Sequence, residues 1–238
     1  MSVQVGEISG ITRYPVKSFA GEKLELTKIE PYGLYGDRFC AFYDEEKTGW
    51  DRFITARKLP IMLSYQAKLM NDGVKVVSPD GRNFSWDDAL LEEIQKYTPK
   101  KISMTSLQAP HPVTPELMSV DTASILIITD ATLRKLERLW GGKLDPRRFR
   151  ANFIVSLNED AVDENGWVGK RLRIGDVELQ VDQFCERCVM ITLDPDTLVC
   201  DLSILKKVYE KMNLHFGVYA SVQKTGLAAV GDKVYLID

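Results

Sequence analysis

The chain has 238 residues, 45% hydrophobic and 27% charged, with a formal net charge of -3. That length buries one large β-rich core or two modest ones. No apolar run approaches the ~18 residues a membrane span needs, and an acidic overall balance argues against nucleic acid as a main partner.

The opening MSVQVGEISGITRYPVKS has no basic n-region, apolar core and small-residue cleavage site, so a cytoplasmic location is expected. A reducing cytosol would keep the four cysteines as thiols. Residues 1–86 read as successive strands: VQVGEISGITRYPV, KLELTKIEP, RFCAFYD, RFITA, SYQAKLM and VKVVS. Asn71, Asp72 and Gly73 join the last two as a tight hairpin. Short spacing favours antiparallel pairing, and a barrel or strongly curved sheet is the natural way to hide the edges. DDALLEEIQKYT then places Leu90, Leu91, Ile94 and Tyr97 at helical spacing behind a Ser85 cap, with a stop at Pro99.

The proline-rich SLQAPHPVTPE precedes the apolar strand ILIIT, which puts a domain boundary near residues 98–120. DATLRKLERLW forms a helix through Leu133, Leu136 and Leu139 or Trp140, ended by Gly141 and Gly142. FIVSL, RLRIGDVELQV and VMITL read as strands, LSILKKVYEKMN as a helix through Leu205, Val208 and Met212, and AVGDKVYLI as strand again. The expected fold is α+β and predominantly β, with a β-barrel-like unit over 1–98 and a second β-barrel unit with peripheral helices over 99–238.

The densest chemistry lies in FCERCVMITLDPDT, where Cys185 and Cys188 flank Glu186 and Arg187. A structural zinc site needs four ligands, yet Cys40 and Cys200 stand singly and His111 and His215 are far apart. A thioredoxin-type pair needs a helix opening at the cysteines, whereas VMITL reads as strand. Two inert core cysteines are the plain alternative; Arg187 between them is the reason to look further, because a guanidinium favours thiolate or holds an anion. DPRRFRANF clusters Arg147, Arg148 and Arg150 ahead of Asn152, with Arg150 and Asn152 on one strand face. YPVKS presents Lys17 and Ser18, GDRF presents Asp37 and Arg38, and ITARK sets Thr55 and Arg57 on one strand face. Each alone also fits an ordinary strand end or surface ion pair.

In order, YPVKS, GDRF, FRANF and CERCVMITLDPDT resemble the MOSC family, the molybdenum cofactor sulfurase C-terminal domains, here with the N-terminal β-barrel domain found in amidoxime-reducing components and their bacterial relatives. The resemblance runs from Ile8 to Ile237. It implies a molybdenum–molybdopterin cofactor whose metal is bound by Cys188, the catalytic position. It also implies cofactor contacts from Lys17, Ser18, Arg38, Thr122, Arg150, Asn152, Glu186 and Arg187, with Cys185 a neighbour. Three positions depart from the pattern. Glu186 replaces a small or hydroxyl residue, Ala123 a hydroxyl contact that Thr122 can supply, and Leu198 the glycine that often ends the DPDT turn.

The implied activity is reduction of N-hydroxylated substrates such as amidoximes or hydroxylamines. Because GDKVYLID carries no iron–sulfur cysteines, the electrons are expected from a separate electron-transfer protein or reductase. The resemblance also allows a cofactor or sulfur carrier without turnover, and a third reading, independent of it, is a β-rich interaction protein with structural cysteines.

Overall fold

The fold is seen in a computed structural model that describes residues 2–237. The first half contains β1 (Ser2–Arg13), β2 (Glu22–Leu24), β3 (Leu26–Glu30), β4 (Gly33–Leu34) and β5 (Phe42–Asp44). It continues through β6 (Gln66–Met70), β7 (Gly73–Val77), β8 (Asn83–Ser85), α1 (Asp88–Gln95) and β9 (Ile102–Met104). The second half contains β10 (Ile125–Thr129), α2 (Asp130–Trp140), β11 (Phe153–Leu157), β12 (Arg171–Ile174) and β13 (Val177–Glu186). It ends with α3 (Leu202–Met212), β14 (His215–Lys224), β15 (Gly226–Ala229) and β16 (Lys233–Ile237).

The protein is mostly β and is organised around a closed barrel. Its strands run β11-β10-β14-β13-β12-β16-β1, and β1 pairs back onto β11 to complete the circle. All pairings are antiparallel except that of β10 with β11. Closure removes the unpaired strand edges that an open sheet would expose. β1 reaches two neighbours because it is 12 residues long: Ser2–Glu7 lie along β16 and Gly6–Ile11 along β11. Gly6 sits where the two registers overlap, and a Cβ there would lie 2.2 Å from the Ser156 carbonyl oxygen. Only glycine permits that approach. Inward-facing Ile8, Ile11, Ile127, Phe153, Leu179 and Val218 fill the interior.

Smaller sheets flank the barrel: β15-β3-β4, β5-β9 and β6-β7-β8. A second core of Phe19, Phe42, Met62, Tyr65, Leu90 and Ile94 lies among them. A third joins α2 and α3 to the barrel wall through Leu136, Ile204, Val208, Phe149 and Phe216. The Asn71–Gly73 hairpin forms as its sequence predicts, with Met70 opposite Gly73. α2 ends on Gly141 at φ 94, the left-handed cap its two glycines suggest.

Several local expectations are corrected. The cap of α1 is Asp87, whose side chain accepts from the Leu90 N–H, rather than Ser85, which ends β8. RFITA is not a strand: Gly49–Arg52 forms a 3-10 turn, and only Phe53 makes an isolated bridge, to Tyr43. VMITL is not a strand either, because Val189–Thr192 forms a 3-10 turn. Tertiary packing overrides β-branched propensity there, with Ile191 and Thr192 buried.

Candidate functional site

A cleft of about 160 Å³ opens where the barrel end meets the second and third cores. Segments far apart in sequence supply its walls. Lys17 and Ser18 follow β1, Arg38 follows β4, Thr55 and Arg57 come from the turn after Phe53, and Asp121 and Thr122 precede β10. Arg150 and Asn152 precede β11, and Cys185 to Cys188 end β13 and the residues after it. All nine candidate residues read from the sequence, Lys17, Ser18, Arg38, Thr122, Arg150, Asn152, Glu186, Arg187 and Cys188, therefore line one cavity.

Three residues of the lining have strained backbones. Ser18 (φ 69), Arg38 (φ 52) and Arg150 (φ 54) all adopt the left-handed conformation that non-glycine residues rarely hold. Such residues persist where the surrounding structure over-determines them, and they gather at ligand clamps. Arg150 and Asn152 do not share a strand face as their spacing suggests. Arg150 instead caps the 3-10 turn Pro146–Phe149, and β11 begins only at Phe153.

Lys17, Arg38, Arg57, Arg150 and Arg187 outnumber the carboxylates Asp121 and Glu186 in the lining. Arg38 pairs with buried Asp37, whose other oxygen accepts from the Tyr14 N–H at 2.8 Å. The Tyr14 ring has both Arg38 and Arg150 over its faces, at 4.5 and 4.2 Å from the centroid. Burial, reinforced by Arg38, pulls the Arg150 pKa down to about 10, still far above neutrality. Its Nη2 is buried without a partner, as is the Nε of Arg187. Orphaned guanidinium nitrogens inside a cationic cleft are the donors an anionic ligand would satisfy.

The two cysteines differ sharply. Cys185 is 1% exposed, and its sulfur accepts from Arg187 Nη1 at 2.9 Å. Arg187 also donates from Nη2 to the Phe149 carbonyl at 2.8 Å. Cys188 is half-buried, and its Sγ accepts from Arg57 Nε at 3.5 Å. Asp121 accepts from Arg57 Nη2 at 2.6 Å and also binds Lys17, whose Nζ donates to the Ser119 carbonyl at 3.0 Å. Burial would raise the Asp121 pKa, but Lys17 and Arg57 hold it well below the ordinary carboxylate range. Burial pushes Lys17 down while Asp121 pulls it back up.

The remaining candidates occupy different positions in the wall. Asn152 is 2% exposed, and its amide accepts from the Leu126 N–H and donates to the Thr12 carbonyl, pinning β10 to β1. Thr122 and Glu186 are exposed at the rim. Glu186 faces out because strand alternation buries Cys185 behind it. Asp121 is the residue that sequence reasoning overlooked; it lies within DTAS, but nothing in that stretch shows that it bridges Lys17 and Arg57. No group of three or more His, Cys, Asp or Glu side chains able to hold a metal ion occurs among the described residues. A metal at Cys188 would bring its other ligands with it. The cleft thus combines an accessible thiol with a cradle for negative charge.

The MOSC domain model matches residues 114–235, and the MOSC N-terminal beta barrel domain model matches residues 5–118. The chain belongs to the MOSC family. Mitochondrial amidoxime reducing component 2 from Rattus norvegicus is 29% identical across 98% of the chain and 83% of its own length. Mitochondrial amidoxime-reducing component 1 from Mus musculus is 25% identical over the same shares. A shorter stretch, 48% of the chain, is 38% identical to component 2 from Homo sapiens and spans 37% of that protein. Among solved structures, the YUAD protein from Bacillus subtilis superposes with a TM-score of 0.53 at 12% identity, over 99% of this chain and 97% of that one. That likeness supports the shared fold. Most of β1 lies within the N-terminal match, yet it closes the barrel otherwise built from strands after residue 124. No helix among the described residues is long and apolar enough to cross a membrane.

Proposed function

We propose that this MOSC protein binds a molybdenum–molybdopterin cofactor through Cys188 and reduces N-hydroxylated substrates with electrons from a separate protein. The observation that carries the reading is a half-buried thiol set in a cleft whose cations outnumber its carboxylates. Soft thiolate suits a transition metal and arginine suits phosphate. The amidoxime-reducing names of the relatives supply the substrate class.

In this reading Cys188 ligates the metal, and Cys185 does not, because Cys185 is buried in the core while Cys188 is half-buried. Lys17, Arg38, Arg150 and Arg187 neutralise the anionic cofactor, and Arg150 and Arg187 each keep one guanidinium nitrogen without a partner inside the protein. Ser18 and Thr122 offer hydroxyl groups, Asn152 fixes the wall, and Glu186 limits the positive charge at the rim. When bound, the cofactor supplies oxygen-atom transfer and two-electron redox chemistry. Reducing an N-hydroxyl group consumes two electrons and two protons and releases water, so a donor protein must supply the electrons.

Protein made in a molybdopterin-competent host is expected to carry about one molybdenum per chain, since one thiolate ligand serves one metal. Cys188→Ser should fold normally by circular dichroism yet contain almost no metal, whereas Cys185→Ser should retain it. Equal metal content in the wild type and Cys188→Ser would overturn the assignment. Loaded protein that fails to reduce an N-hydroxylated amidine with a competent donor would instead mark a cofactor carrier.

A further inference from the structure

Arg57 lies outside the cofactor contacts assigned above, yet it is the residue whose side chain reaches the sulfur of Cys188. Its Nε–H points to Sγ at 3.5 Å, within the range for a sulfur acceptor, while its Nη2 is fixed on Asp121 at 2.6 Å. Asp121 cannot swing freely, because Lys17 holds its other oxygen and is itself tied to the Ser119 carbonyl. The result is a chain from the main-chain carbonyl of Ser119 through Lys17, Asp121 and Arg57 to the thiol. The anchored end is buried, with the Lys17 side chain 6% exposed, and the Arg57 side chain is 37% exposed. A surface arginine attracted to the nearest carboxylate would not need its Nε aimed at a sulfur.

We infer that Arg57 is a positioning residue that tunes the reduction potential of a metal bound at Cys188 by donating a charge-assisted hydrogen bond to the ligating sulfur. The inference rests on the cofactor reading above and deepens it. Hydrogen bonds to ligating sulfurs are a general lever on potential, because they stabilise the more electron-rich, reduced state. A charged donor does so more strongly than a neutral one. The guanidinium presents its nitrogens in a rigid fork, so Asp121 can grip one side while the other is aimed at sulfur. Lysine carries its three donors on one nitrogen at the end of a flexible stem and cannot hold both partners in the same geometry.

The test uses full-length protein loaded with cofactor, with potentials read by redox titration of the paramagnetic molybdenum signal. Arg57→Gln should retain about one metal per chain, by the same one-thiolate logic, and shift the potential to more negative values. Arg57→Lys should shift it in the same direction by less, because charge remains near the sulfur while the aimed donor is lost. Unchanged or more positive potentials in loaded Arg57→Gln would overturn the inference. So would folded Arg57→Gln or Arg57→Lys without metal beside a loaded wild type, since that would make Arg57 a cofactor anchor. Failure of the wild type to hold molybdenum would sink the cofactor reading itself, a separate and recognisable result.

Discussion

Arg150 carries its guanidinium into the cleft on a backbone that suits glycine, at φ 54. One nitrogen is buried without a partner, and burial works against its charge. Each of these features costs stability, and a bound anion would offset that cost. Arg150→Gly is therefore expected to raise the melting temperature of cofactor-free protein by roughly 2–4 °C, the shift that about 1 kcal/mol gives in a chain of this size. The same change should weaken anion binding sharply, measured by titrating inorganic pyrophosphate. A lower melting temperature would show that the stack on Tyr14 outweighs the strain. Ser18, Arg38 and Arg150 were legible as polar or cationic groups, but their left-handed backbones were not, since none is glycine or asparagine. Arg57 and Asp121 were hidden for a different reason: their meaning is a mutual contact across 64 positions of sequence.

Among the elements, α1 is tied to its neighbouring sheet by Glu93. Its carboxylate takes both Arg82 Nη nitrogens, at 2.9 and 2.7 Å, and also accepts from Lys96 and the Tyr65 hydroxyl. These donors, Arg82 foremost, hold its pKa down to about 2 from an ordinary 4.5. A depressed carboxyl pKa stabilises the fold above the unfolded value, and the contribution is lost as pH falls through the folded one. Thermal melts of Glu93→Gln should therefore lie below the wild type at pH 7, with the gap closing between pH 4.5 and about 2. A gap of constant size would mean that packing, rather than charge, sets the difference. Helices α2 and α3 were readable because their apolar residues recur with the helical period. Val189–Thr192 was not, because four β-branched and apolar residues look like a strand until Ile191 must reach the third core.

At the scale of the whole molecule, β1 decides whether the barrel exists. Without it β11 and β16 have no partner for their outer edges, and open edges invite aggregation. Residues 99–238 produced alone should be insoluble or lack a cooperative melt, and co-expression of residues 1–98 should restore both. A soluble, cooperatively melting fragment would show that the barrel closes in another way. The predominance of β structure was legible from short alternating runs and turn residues. The closure was not, because the pairing of β1 depends on strands whose patterns match many registers equally well.

That closure also has a consequence in time. Ser2 pairs with Ile237, so β1 waits for a strand made much later, roughly 12–47 s at about 5–20 residues per second. For most of that interval Lys17 is already made while Cys188 is not. An anion held from both sides of the cleft can therefore enter only after Cys188 and Tyr219 have been made.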